Sequence, residues 1–128
     1  MYEWHSHTAE LELYVEAGSE EAVFEDALHA LAELLGPADG PEETHEVELA
    51  AADRGALLVA WLEELLFFAE TGRFVPKSAE VELTGEHLRA TVRGRTGDPS
   101  PLVKAATYHR LEFTKSDGVW HARVTLDV

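Results

Sequence analysis

The residues of this 128-residue chain whose types and spacing could do chemistry are few, and most are His or carboxylate. His5 and His7 stand two apart in a segment that reads as a first strand, so both side chains would leave one face, a spacing compatible with metal ligation. The same pair also reads as two exposed strand histidines without a ligand. The chain has no cysteine and no H-E-x-x-H, so a closed zinc site would need four His or carboxylate ligands and is not expected. Asp127, the penultimate residue, lies between Leu126 and Val128, which look like core residues. A carboxylate held there could ligate a hard cation, or be an ordinary exposed terminal Asp. Ser6, Ser19, Ser78, Ser100 and Ser116 lie in no G-x-S-x-G context, and no Gly-rich phosphate loop precedes a helix. Gly94-Arg95-Thr96-Gly97 reads as a turn. Carboxylates are too many for any one pair to stand out as an acid and a base. Catalysis by this chain is therefore not expected.

The elements that must position these residues follow from periodicity. Leu11, Leu13, Val15 and Ala17 alternate with Glu10, Glu12, Tyr14 and Glu16, a strand with one wet, carboxylate-rich face. Ser19 is placed to cap a helix with Glu20 and Glu21 in its first turn and Phe24, Leu28, Leu31 and Leu35 as its stripe, stopped by Gly36-Pro37. A strand through Val47 and Leu49 precedes a helix capped by Asp53, with Leu58, Trp61, Leu62 and Leu65 buried and Glu63, Glu64 and Glu70 in water. After Gly72 the pattern is β only. Strands run through Ala79–Leu83, Leu88–Val92, Val103–Phe113 and Val119–Leu126, with turns at Thr84-Gly85-Glu86 and Ser116-Asp117-Gly118. In the last strand Trp120, Ala122, Val124 and Leu126 point inward, and His121, Arg123, Thr125 and Asp127 outward. The order ββαβα followed by a meander predicts one α+β domain over residues 1–128: two layers, with both helices on one face of a mostly antiparallel sheet.

Charge narrows the partners. The net charge is −15, and residues 1–53 hold fifteen acids and no Lys or Arg. Phosphates would be repelled, so direct binding of nucleic acid is not expected, and a cationic protein or a metal ion suits the surface better. The charge also serves solubility. No apolar run spans a membrane, and MYEWHSHTAE lacks the pattern of a secretory signal; with no cysteine, the cytoplasm is the expected compartment.

Four short segments, in order, resemble the archease family. His7-Thr8-Ala9-Glu10 is similar to its H-T-A-D, and Leu58-Val59-Ala60-Trp61-Leu62-Glu63-Glu64-Leu65-Leu66 to its L-V-x-W-L-x-E-L-L. Val103-Lys104-Ala105-Ala106-Thr107-Tyr108-His109 is similar to V-K-A-V-T-Y-H, and Leu126-Asp127-Val128 matches the terminal L-D-V. The resemblance implies a protein cofactor, not itself the ligase, that assists an RtcB-type RNA ligase in tRNA splicing or RNA repair by promoting guanylylation and multiple turnover.

It also implies a divalent metal site, with calcium the expected ion and magnesium or manganese the alternatives, held by Glu10, Asp127 and the carbonyl of Leu126. His7, Lys104, Thr107 and His109 are possible accessory residues. The chain departs from the family pattern twice. Glu10 stands where the family has Asp, moving the carboxylate outward by about 1.5 Å, and the loop Asp98-Pro99-Ser100-Pro101 is short. The alternative reading is an acidic chaperone or interaction module that has lost the metal site and modulates another RNA-modifying enzyme.

Overall fold

The computed structural model describes residues 1–128. Its elements are β1 (Tyr2–His7), β2 (Glu10–Ala17), α1 (Glu20–Leu35), β3 (Glu42–Ala50), α2 (Arg54–Gly72), β4 (Phe74–Thr84), β5 (His87–Thr96), β6 (Ala105–Ser116) and β7 (Val119–Asp127). The α+β class and the element order are those the periodicity predicts. The strands, however, form two antiparallel sheets rather than one, a four-stranded sheet in the order β1-β2-β7-β6 and a three-stranded sheet in the order β3-β5-β4. Alternation fixes which residues face the core but not which strands pair. Tight turns pair only neighbours, and the Pro-rich segment after β5 carries the chain from one sheet to the other.

Local chemistry sets the helix ends. Ser19 Oγ accepts from the Ala22 amide at 3.2 Å, and Asp53 Oδ1 from the Ala56 amide at 2.8 Å, each satisfying an amide of the first turn. One cluster of 29 buried residues joins both helices to the inner faces of both sheets. It includes Phe24, Leu28 and Leu31 of α1, Trp61, Leu62 and Leu65 of α2, Leu13 and Leu126 of the first sheet, and Leu88 and Val92 of the second. Trp61 ties the helices together: its buried Nε1 donates to the Phe24 carbonyl at 2.9 Å. No helix is long and apolar enough to cross a membrane.

Three local expectations need correction. Gly94, Arg95 and Thr96 belong to β5 and are not a turn. A glycine is needed at 94 because a Cβ there would lie 2.2 Å from the Val75 carbonyl oxygen, beneath the irregular stretch of β4 at Pro76–Ser78. The strand expected from Val103 to Phe113 spans Ala105–Ser116, and its pairing with β7 is interrupted between Thr107 and Glu112. Finally, Glu12 and Thr125, expected on a wet face, are buried, at 2% and 0% exposure.

Candidate functional site

The β1–β2 hairpin turns on Thr8 and Ala9, with Ala9 in the left-handed region at φ 59°. This tight turn delivers Glu10 to the first position of β2, where its register partner is Asp127 of β7. The Val128 amide donates to the Ala9 carbonyl at 3.1 Å, just outside that pair. This places Glu10 and Asp127 at a non-hydrogen-bonded position, where antiparallel strands bring side chains closest, with Cα atoms about 4.5 Å apart. Two carboxylates from the two ends of the chain thus stand side by side at the rim of the sheet, Glu10 half-buried and Asp127 exposed. Leu126 is fully buried and paired with Leu11 and Ala106, so its main-chain oxygen is all it can offer a cation. No group of three or more His, Asp or Glu side chains converges closely enough to hold a metal.

The other implicated residues lie nearby with different roles. The Lys104 amide donates to the Asp127 carbonyl at 2.8 Å, fastening the end of β7, while the Lys104 side chain is exposed. His7 Nε2 lies 2.5 Å from Oε1 of Glu12. Thr107 Oγ1 donates to the Thr125 carbonyl at 3.0 Å and accepts from the His109 amide at 3.3 Å. None of these side chains joins the Glu10–Asp127 pair.

Sequence reasoning missed the organising residue of this face. Glu12 points away from the apolar core yet is shielded from water, and four side chains surround its carboxylate. Besides His7, Arg110 Nη1 donates to Oε1 at 3.1 Å, the Tyr14 hydroxyl donates to Oε2 at 3.1 Å, and Arg123 Nε lies 3.9 Å away. Burial pushes its carboxyl upward, but the hydrogen bond from Tyr14, the charge of Arg110 and the charge and hydrogen bond of His7 together outweigh it. The net effect holds Glu12 below its ordinary value.

The shielding comes from β6. Between the pairs Thr107–Thr125 and Glu112–Arg123, β6 spends four residues where β7 spends one. The extra chain folds onto the sheet: Thr125 Oγ1 donates to the His109 carbonyl at 2.9 Å, and Arg123 Nε to the Arg110 carbonyl at 2.8 Å. Arg110 adopts φ 56°, a conformation costing a non-glycine residue about 1 kcal/mol or more. Nothing in the alternation of Ala105–Phe113 signals the bulge. A further signal, the two arginines at 110 and 123, acquires meaning only once the pairing is known.

An α+β domain of two antiparallel sheets, with opposed carboxylates at the rim of one sheet and an ion network around the buried Glu12 carboxylate on its outer face, is the class of protein defined here. The chain belongs to the archease protein family, whose profile matches residues 2–128. It is 35% identical to the archease of Methanopyrus kandleri over 133 residues, covering 95% of each chain. It is 32% identical to that of Methanosarcina barkeri over 139 residues, covering 99% of this chain and 95% of that one. The fold is similar to the solution structure of Methanobacterium thermoautotrophicum protein 1598, with TM-score 0.75, 29% identity, and 99% and 98% of the two chains covered. It also shares its fold with a Thermotoga maritima protein described as an archease and possible chaperone, with TM-score 0.72, 22% identity, and 100% and 98% covered.

Proposed function

We propose that the chain is a protein cofactor of an RtcB-type RNA ligase, non-catalytic itself, which promotes guanylylation of the ligase and lets it turn over repeatedly. Its working part is the Glu10–Asp127 rim with a divalent cation. The observation that carries this reading is the register pairing of Glu10 with Asp127 at a position of closest approach. Like charges directly opposite one another destabilise a sheet, and a divalent cation between them would relieve that repulsion.

The donor set fits such an ion. Two carboxylates and a main-chain oxygen are hard ligands, suited to calcium, magnesium or manganese. With no third side-chain ligand, water would fill the remaining positions, so binding would be shallow and readily exchanged. When bound, the ion would supply positive charge and open coordination positions at the rim. The protein's own residues do the rest: Glu10 and Asp127 hold the position, the Lys104 amide fixes the end of β7, and the acidic surface steers the rim toward a cationic cleft.

The test is ligation by a purified RtcB-type ligase with and without this protein. The expected result is ligase that seals about one RNA per molecule alone and many with the protein present, with a matching rise in guanylylated ligase. Unchanged guanylylation and turnover would overturn the reading. The absence of a third ligating side chain favours one second reading, an acidic interaction module that works without metal. Activation of guanylylation and turnover by Glu10→Gln/Asp127→Asn equal to that by the wild-type chain, in buffer that keeps the ligase's own metal, would select it.

A further inference from the structure

The bulge in β6 is a built feature, and the network around Glu12 is what builds it. β6 pairs regularly with β7 on either side of the bulge, but the register shifts by three residues between Thr107 and Glu112. The four residues Tyr108–Leu111, three more than β7 spends there, are turned onto the sheet and fixed by three side chains, with Thr125 and Arg123 bonding the main chain and Glu12 bonding the side chain of Arg110. Leu111 packs against the core beside Gly55 at the start of α2. The side chains this apparatus leaves unused are those of Tyr108 and His109. Both are exposed, Tyr108 at 65%.

We infer that Tyr108–Arg110 is a preformed protein-docking element with the Tyr108 ring as its anchor, and that Glu12 is the positioning residue that holds it in place. The inference rests on the function proposed above, and the partner is the same ligase. The first bulge residue, Tyr108, lies three residues along β6 from Ala105, the register partner of Asp127, about 10 Å at the rise of a strand. A protein surface that closes on the rim therefore meets the bulge as well. Net charge −15 makes a nucleic acid a poor occupant of the same place. An aromatic side chain whose backbone is already fixed loses little freedom on binding, which is why tyrosines serve so often as interface anchors.

The experiment measures the affinity of the ligase for the wild-type chain and for Tyr108→Ala, Tyr108→Phe, Glu12→Gln and the Glu12→Gln/Tyr108→Ala double variant. Tyr108→Ala is expected to weaken binding about tenfold or more, with its melting temperature unchanged, and Tyr108→Phe to retain binding. Glu12→Gln is expected to weaken binding comparably, and the double variant no more than either single one, because both changes remove one contact. Should Glu12→Gln fail to fold, Arg110→Gly cuts the same tie while accommodating the backbone, and takes its place. Wild-type affinity in Tyr108→Ala overturns the docking element and leaves the proposed function standing. Additive losses in the double variant overturn the role of Glu12. A ligase that does not bind the wild-type chain overturns both readings. A labelled RNA oligonucleotide that binds the wild-type chain without ligase, and not Tyr108→Ala, overturns the choice of a protein partner.

Discussion

Arg110 of β6 reaches across β7 to Glu12 of β2, with Nη1 and Oε1 3.1 Å apart although a whole strand lies between their own strands. Adjacent strands are about 4.8 Å apart, so the contact crosses two strand spacings, and the bulge, held over β7 by the bond from Arg123 to the Arg110 carbonyl, brings Arg110 toward it. It also makes stability depend on acid. Glu12 is held below its ordinary value of 4.5, so its contribution is fully present above that value and is lost as pH falls through the lowered folded-state value. Thermal melts between about pH 7 and about pH 3 are expected to show an acid limb in the wild-type chain that is flatter in Glu12→Gln. An unchanged limb would show that the network does not distinguish the two protonation states.

The rim makes a prediction of its own. Calcium in excess is expected to raise the melting temperature of the wild-type chain by mass action, by about 2.7 kcal/mol of stability at a hundredfold excess over Kd. Asp127→Ala is expected to abolish the effect while changing stability without calcium by no more than about 0.5 kcal/mol, because its side chain is exposed. Glu10→Asp is expected to preserve calcium binding or tighten it. Calorimetric titration checks both.

Much of the fold was legible in the sequence, for identifiable reasons. Ser19 and Asp53 cap their helices, and Asp117-Gly118 makes the β6–β7 turn with φ 53° and 77°, because capping and turn chemistry are local. The pairing of Glu10 with Asp127 was legible only through the family resemblance, since no local rule links the first strands to the last. The division into two sheets and the burial of Glu12 were not legible. Both depend on where β6 goes after the Pro-rich segment, and an alternating Glu reads as wet unless the chain that covers it is known.

Gly94 tests the packing between β5 and β4. A Cβ there would lie 2.2 Å from the Val75 carbonyl oxygen and 2.9 Å from Pro76 Cα, both backbone atoms that cannot rotate away. Gly94→Ala is expected to cost about 1 to 3 kcal/mol by urea denaturation. A neutral result would mean that β4 shifts freely at its irregular stretch.

The acidic surface predicts that RNA alone is not a ligand. Fluorescence anisotropy with a labelled tRNA half at about 150 mM salt is expected to show no micromolar binding in the absence of ligase. Such binding would require a basic surface, yet the arginines of β5 already pair with Glu42, Glu48 and Glu80 on the neighbouring strands.

The most direct test of the central claim is the number of ligations completed per ligase molecule with Asp127→Ala in place of the wild-type chain. The account expects this variant to fold and to bind the ligase through the bulge, yet to leave it near a single turnover. Full turnover with Asp127→Ala would contradict the account, because the carboxylate rim would then not be the working part of the molecule.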